Sequence, residues 1–427
     1  MQCNCRNDIE SYDLTEELKE KTLKHPCYSF DAHQKYARMH LPVAPACNIS
    51  CNYCNRRFDC VNESRPGVTS EILTPEMARD KFLAVKKDFP QLSVVGIAGP
   101  GDALANWNDV KKTIQLIQKE DQDMVFCLST NGLMLPHYAP EIVCLGIKHV
   151  TVTVNSLDTA IGAQIYKHIV YEGKYYTGEP ASEILIKNQL EGIKYLAGNG
   201  ILVKVNIVMI NDVNASHIFE VVKKVKRLGA FMTNIMPLIP APGSAFENHP
   251  QTSMKDIHTV RNLCGKEIDQ MVHCQQCRAD AIGLLKDDQS YKYRLNKQTA
   301  AEDMSSKTTG LQKCRVAVTS KYRRLIDLHY GHAEEFHIYD VDGVNSTYIE
   351  TRKVEKYCTG PECDNARYRK EKALQAIEDC DAVLTMRIGY DAQKRLEEKG
   401  FFIVESCESV EEGLLSVLRS YEMKKAI

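Results

Sequence analysis

A chain of 427 residues is long enough for two separately cored domains. Its 44% hydrophobic and 26% charged residues suit a globular protein, and a formal net charge of −2 removes the reason to expect nucleic acid or an anionic membrane as partner. No apolar run approaches the roughly 20 residues that span a bilayer, and the opening MQCNCRNDIESYDL has no signal-peptide core, so the expected location is the cytoplasm.

Residues 1–40 are set apart as an N-terminal segment holding Cys3, Cys5, His25, Cys27, His33 and His40. From residue 41 to 240, short β-like runs alternate with longer amphipathic stretches. The strand candidates are Leu41–Pro45, Leu92–Ala98, Met124–Ser129, His149–Val154, Leu202–Ile210 and Phe231–Met236. The helical patterns between them are Thr74–Asp88, Trp107–Lys119, Ile184–Asn199 and Ala215–Leu228, with Thr74 as a cap and Pro75 in the first turn. Such alternation predicts an α/β fold with a parallel sheet of about six βα units. That is too few for a closed eight-stranded barrel, so an open, partial (β/α)6 barrel is expected over 41–286. In such barrels the loops after the strands carry the chemistry.

Residues 287–312 are polar with little apolar periodicity and read as a linker. Over 313–427, CRVAVTS, FHIYDVDG, AVLTMRIG and FFIVES read as strands with helices between. They predict a small α/β domain with its own core.

Seventeen cysteines in a reducing compartment point to metal ligation or burial rather than disulfides. Cys144, Cys264, Cys380 and Cys407 sit singly in apolar or helical surroundings and are expected in cores. Cys47, Cys51 and Cys54 differ. They form a C-x3-C-x2-C motif, ACNISCNYC, directly after the first predicted strand. Three thiolates hold three irons of a 4Fe–4S cluster and leave the fourth iron open. That iron can chelate the amino and carboxylate groups of S-adenosylmethionine (SAM), whose reductive cleavage releases a 5′-deoxyadenosyl radical. Tyr53 before the third cysteine resembles its usual companion in radical SAM proteins. A zinc knuckle fits less well, because zinc in closed sites takes four protein ligands.

Loops at successive strand ends supply the SAM-binding candidates: Gly99, Gly101 and Asp102 in AGPGDAL, Ser129 and Asn131 in STNGL, and Asn155. Ile239, within NIMPLIPAPG, would help cradle the adenine or ribose. Glycine and asparagine also simply make turns, and only their shared position singles these out. Cys27, Cys60, Cys127, Cys274 and Cys277 remain, with His25, His33, His40 and His273. They would serve two accessory clusters, or one accessory cluster beside buried thiols.

The block HPCYSFDAHQKYARMHLPVAPACNISCNYCNRRFDCVNESRPGV (His25–Val68) resembles the NifB family of radical SAM proteins, which act in nitrogenase cofactor biosynthesis. AGPGDAL, CLSTNGL, NIMPLIPAPG and HCQQCRADAIGLL resemble it too, and the likeness covers most of residues 25–286. The resemblance implies three 4Fe–4S clusters, one binding SAM and two that are fused. One SAM methylates a cluster sulfide, a second yields the radical that attacks that methyl, and deprotonation leaves a carbide in an eight-iron core completed by an added sulfur. It further implies cluster-donor, electron-donor and scaffold or carrier proteins as partners. Carried over by position, Cys47, Cys51 and Cys54 hold the SAM cluster, and His40, Cys60 and Cys127 the first accessory cluster. Cys274 and Cys277 hold the second with an N-terminal cysteine, Cys5 or Cys3. Cys27 belongs to this set without a fixed cluster. Glu63 and Arg65 in NESRPG are the catalytic helpers, or simply an ion pair.

Residues 314–421 resemble the NifX-like, ribonuclease H-like domain of the dinitrogenase iron–molybdenum cofactor-binding family, through HYGHAEEFHIYDVDG. His329, His332 and His337 are candidate contacts to an anionic cluster there, and Cys358 and Cys363 either touch it or are exposed thiols. A non-catalytic cluster carrier, or a radical SAM enzyme modifying a peptide or small molecule, is the alternative reading.

Overall fold

The structure is a computed structural model. It describes residues 14–62, 69, 71–241, 243–250, 252–274, 276–285 and 287–293, then 314–320, 323, 326, 328–342, 345–356, 367–386, 388, 390–406, 410–411, 413–415 and 417. The chain divides into two compact units, 1–294 and 295–427.

In the first unit, helices form where apolar residues recur every three to four positions. Helix α2 (Pro75–Asp88) starts where Thr74 Oγ1 accepts the Met77 N–H at 3.3 Å, and it buries Ala78, Phe82 and Val85. Helix α3 (Trp107–Glu120) buries Val110, Ile114 and Ile117 in the same way, and α7 (Ile218–Arg227) Val221, Val222 and Val225, while the short α1 (Glu16–Leu23) precedes the first strand. The strands are β1 (Ala37–His40), β3 (Leu92–Ile97), β4 (Val125–Thr130), β5 (His149–Thr153), β8 (Leu202–Met209) and β9 (Met232–Pro237). These six lie side by side in that order, all parallel, and β10 (Ile282–Leu284) and β11 (Asp287–Asp288) extend the β1 edge antiparallel. This is the open partial barrel expected. Alternate residues of each strand face opposite ways. Met39, Val95, Phe126, Val150, Val203 and Ile235 share one core with Phe82, Ile114 and Val221 of the surrounding helices. The other face carries Arg38, His40, Cys127, Ser129, Lys204 and Asn206 and lines a cavity.

A separate antiparallel sheet holds β2 (Ile49–Cys51), β6 (Tyr166–Tyr171) and β7 (Lys174–Tyr176). Glu172 and Gly173, both at positive φ, form the two-residue β6–β7 turn. Hairpin, helices α4 (Leu135–Cys144), α5 (Thr159–Ile165) and α8 (Met254–Cys264), and β10–β11 all went unread in the sequence.

Several expectations are corrected. The first strand is Ala37–His40, inside the segment set apart as 1–40, and not Leu41–Pro45. Pro42 and Pro45 cannot donate to a central ladder, whereas the polar pair Arg38 and His40 hid a real strand. Helix α6 (Gly178–Gly198) begins six residues before Ile184, because GEPASE has no apolar period but tolerates the first turn. Residues 287–293 are not yet linker: β11 pairs with β10, and the Tyr293 hydroxyl donates to Asp88 at 2.7 Å. Cys144 is exposed rather than in a core, lying off the Leu135–Ala139–Ile142 face of α4. Cys264 and Cys380 are buried as expected, and Cys407 lies outside the described residues.

In the second unit, β12 (Cys314–Val318), β13 (Glu335–Asp342), β14 (Asn345–Lys353), β15 (Ala382–Thr385) and β16 (Phe402–Glu405) form one sheet in the order β14-β13-β12-β15-β16. The first three are antiparallel and β12, β15 and β16 parallel. Both faces are covered. Phe336, Ile338 and Val383 pack with Ile377 and Leu396, and Val316, Val318 and Leu384 pack with Val410 and Leu414. Among the described residues no helix is long and apolar enough to cross a membrane.

Candidate functional site

The cysteine motif is folded onto the barrel by its own backbone. Cys51 ends β2, and the Cys54 N–H donates to the Cys51 carbonyl at 3.1 Å, closing a turn that brings both thiols together. Residues 238–241 and 243–246 clasp this turn, with Ala241 N donating to Tyr53 O and Phe246 N to Asn52 O, both at 2.9 Å. Ile239 packs in the same apolar cluster as Tyr53, Cys47 and Cys54. Amide groups point at the sulfurs: Asn62 Nδ2 lies 3.7 Å from Cys51 Sγ and Asn131 Nδ2 3.9 Å from Cys47 Sγ. Such N–H···S contacts orient and stabilise a cluster-bound thiolate. Burial pushes the Cys47 thiol up to about 12, and the neighbouring Cys51 thiol holds Cys54 well above the usual range. A metal must therefore displace protons to bind them. Among the described residues no three His, Cys, Asp or Glu converge on one metal ion. A cubane cluster does not require that, since each ligand takes a different iron. The donor set of three cysteine thiols within one turn and a loop fits such a cluster.

The expected SAM-binding residues fall into two groups. Gly101 is a contact glycine, since a Cβ there would stand 2.1 Å from the Ala46 carbonyl oxygen. The backbone amides of Gly101 and Asp102 donate to Ala44 O at 2.6 Å and Ala46 O at 2.8 Å and so hold the cysteine loop. The buried Asp102 carboxylate accepts from Leu104 N, Ala105 N, Thr130 Oγ1 and Asn131 N, and its demand is filled. Asn155 is equally committed, donating to the Tyr53 hydroxyl at 2.8 Å and accepting from Val208 N at 2.8 Å. The Tyr53 hydroxyl in turn donates to Asn62 Oδ1 at 2.5 Å. Asp102 and Asn155 thus position the loop rather than present free polar atoms. Gly99 sits at φ +137°, and Ser129 lines the barrel cavity. Glu63, Arg65, Cys3, Cys5, Cys358 and Cys363 lie outside the described residues.

That cavity gathers six of the remaining candidates: His25, Cys27, His40, Cys127, Cys274 and Cys277. His40 ends β1 with Nδ1 2.9 Å from the Arg278 carbonyl, which fixes the proton on Nδ1 and leaves the Nε2 lone pair available. Gly96 makes room for the ring, since a Cβ there would lie 2.8 Å from His40 Cδ2. Burial, with the Arg38 charge beside it, lowers His40 to about 4 and keeps it neutral, as a metal ligand must be. Burial pushes the Cys27 thiol up to about 12. Cys60 is placed differently. Its side chain bonds with Cys54 and its charge is felt by Cys47, and its N–H donates to Pro100 O at 3.0 Å. His273 and His33 stack on each other at 5.2 Å and bond to the Pro26 and Phe30 carbonyls.

Reading the sequence missed Arg38, Lys204 and Asn206 on the cavity wall, where Asn234, the first residue of NIMPLIPAPG, also lies. The signal was present as polar residues at alternate positions of otherwise apolar strands, as in LVKVNIVM. In the second unit His337 is buried with both ring nitrogens engaged, to Thr351 Oγ1 at 2.8 Å and Ser320 O at 2.9 Å, so it is a structural residue. His329 Nδ1 accepts the Gly331 N–H at 2.9 Å, and its ring centroid lies 4.9 Å from that of His332.

Two family models match this chain: the Radical SAM superfamily over residues 41–225, and Dinitrogenase iron-molybdenum cofactor over residues 312–420. The FeMo cofactor biosynthesis protein NifB of Klebsiella pneumoniae is 44% identical over 92% of this chain and 89% of its own length. The protein of that name from Bradyrhizobium diazoefficiens is 41% identical over 98% and 91%, and that from Azotobacter vinelandii 38% identical over 98% and 92%. Identity at this level along nearly the whole of each partner, on a partial barrel carrying three cysteines in one loop, means that the chain belongs to the NifB family of radical SAM enzymes of FeMo cofactor biosynthesis.

Proposed function

We propose that this protein fuses two 4Fe–4S clusters, inserting a SAM-derived carbide and an extra sulfur, to make the eight-iron precursor of the nitrogenase cofactor. The observation that carries the reading is the path of β4. The strand sends Cys127 and Ser129 into the cavity, and two residues on Asn131 reaches the Cys47 thiol. One rigid strand thus joins the SAM-cleaving loop to the chamber where five ligand side chains meet.

Cys47, Cys51 and Cys54 would hold the SAM-binding cluster, which when bound supplies the electron that cleaves SAM. Asn62 and Asn131 orient the Cys51 and Cys47 sulfurs, and the clasp of residues 238–241 and 243–246 closes the apolar side around Ile239. His40 and Cys127 would hold the first accessory cluster, with Cys60 arriving from the SAM side. Cys274 and Cys277 would hold the second, and Cys27, on the same cavity wall, supplies the third ligand that sequence reasoning had sought at Cys5. A neutral imidazole exchanges more readily than a thiolate, so the His40 site is the one suited to release its cluster for fusion. The clusters, SAM and the added sulfur are substrates, brought in a reducing cytoplasm by donor proteins and passed on to a scaffold or carrier.

Anaerobically reconstituted protein is expected to hold about twelve irons, three clusters of four. Reduced and given SAM, it should form both 5′-deoxyadenosine and S-adenosylhomocysteine. Absence of the second product would defeat the methyl-transfer step, and absence of both would leave a cluster carrier. Cys51→Ala should abolish SAM cleavage, whereas Cys274→Ala should lower iron and block fusion while cleavage survives.

A further inference from the structure

The chamber that gathers the thiols is also walled by N–H donors. Arg38 on β1 and Lys204 on β8 line it at 2% and 6% relative exposure. Among the described residues neither forms an ion pair with a carboxylate. Arg38 Nη1 donates to the carbonyls of Gly283 and Leu284 at 2.6 and 3.1 Å, and Nη2 points at Cys277 Sγ at 3.4 Å. Lys204 Nζ lies 3.9 Å from the Met271 sulfur and 5.1 Å from the Tyr28 ring centroid, weak company for a full charge. His25, 1% exposed, accepts the Cys27 N–H on Nδ1 at 3.1 Å, which puts its own proton on Nε2. Among the residues that line the cavity, four side-chain atoms are buried without a hydrogen-bond partner: the donors His25 Nε2, Arg38 Nε and Gln276 Nε2, and one acceptor, Asn234 Oδ1.

Asp288 lies near enough for its charge to act on Arg38, but not paired with it. A buried cation without a paired counter-charge is costly, and such groups persist where an anion completes them. An iron–sulfur cluster held by thiolates is an anion whose sulfurs accept hydrogen bonds, and those bonds and nearby charges set its potential. We propose that Arg38, Lys204 and the Nε2–H of His25 are positioning residues for the accessory clusters, donating to their sulfurs and balancing their charge. The inference rests on the cluster reading above. Ligands hold the irons and the donor wall holds the sulfurs, so a cluster that exchanges one ligand during fusion stays in the chamber.

The test uses full-length protein reconstituted without oxygen, in the variants Lys204→Met, Arg38→Met and His25→Phe beside the conservative Lys204→Arg, Arg38→Lys and His25→Gln. Redox titrations followed by electron paramagnetic resonance give the midpoints of the accessory clusters, and the SAM-induced change at the remaining cluster reports an intact barrel. Each neutral variant at Arg38 or Lys204 should shift the one-electron equilibrium about tenfold toward the oxidised form, about 59 mV, with the conservative variants recovering most of it. An exchangeable-proton coupling at an accessory cluster should vanish in His25→Phe and persist in His25→Gln. Twelve irons with unmoved midpoints and couplings in all three neutral variants would overturn the donor wall alone. Iron lost equally in neutral and conservative variants would mark a purely structural role and overturn it too. A wild-type preparation holding only four irons would sink the cluster reading, and this inference with it.

Discussion

Gly96 and Cys60 show how much hangs on single positions. The imidazole of His40 occupies the volume that any side chain at 96 would fill, with Cδ2 2.8 Å and Nε2 3.2 Å from a Cβ placed there. Gly96→Ala must swing the ring from the cavity, at a cost of about 1–3 kcal/mol as for other overpacked sites. The expected result is a folded protein that loses up to one cluster of iron together with any imidazole-nitrogen coupling at an accessory cluster. Full iron with that coupling intact would show that His40 is not a ligand. Cys60 was assigned from sequence to the same cluster as His40 and Cys127, yet its side chain bonds with Cys54. Cys60→Ala is expected to lower iron while SAM cleavage continues, because three thiols suffice for the cleaving centre. Loss of cleavage would move Cys60 into that centre. The residue types were legible because thiols and imidazoles in a tight C-x3-C-x2-C setting have few other uses. Their partners were not. Asp102 and Asn155 stand where SAM ligands were expected, but whether a carboxylate or amide is free depends on which groups reach it, and some of those come from far along the chain: Asn131 N just past β4, and Val208 N on β8.

At the level of elements, the parallel sheet was legible because five of its six parallel strands are short apolar runs spaced by amphipathic helices. The exception was β1, whose inward residues Arg38 and His40 are polar because they face a site and not a core. The same alternation governs β8, where Lys204 and Asn206 line the cavity while Val203, Val205 and Ile207 bury against helices. Polar residues on one face of a buried strand therefore mark function wherever the opposite face remains apolar. The outer helices obey packing alone. Gly192 of α6 lies against Leu135 of α4, so closely that a Cβ would stand 2.3 Å from the Leu135 Cβ. Gly192→Ala should destabilise by about 1–3 kcal/mol, seen as a lower denaturant midpoint, because two helix backbones must move apart. Iron content and SAM cleavage should be unchanged at low temperature. A variant that unfolds normally but loses iron would mean that α4 and α6 control the chamber as well as the shell.

For the molecule as a whole, the two units answer to different demands. Every described cysteine and histidine proposed as a ligand of the three 4Fe–4S clusters lies between residues 27 and 277, within the unit ending at 294. The second unit closes a two-faced core of its own and is matched separately by the cofactor family model. Its one deeply buried histidine, His337, is committed to Thr351 and Ser320, while His329, whose Nδ1 accepts the Gly331 N–H at 2.9 Å, stands beside His332 with ring centroids 4.9 Å apart. A chain ending at residue 312 is therefore expected to bind about twelve irons and to form both SAM-derived products, measured by iron assay and chromatography. It should differ in what happens afterwards, releasing an eight-iron product that the full chain retains on gel filtration. His329→Ala with His332→Ala in the full chain should reproduce that early release without touching SAM cleavage. Loss of cleavage in the shortened chain would mean that the barrel cannot assemble its site alone, and the division of synthesis from holding would then have to be abandoned.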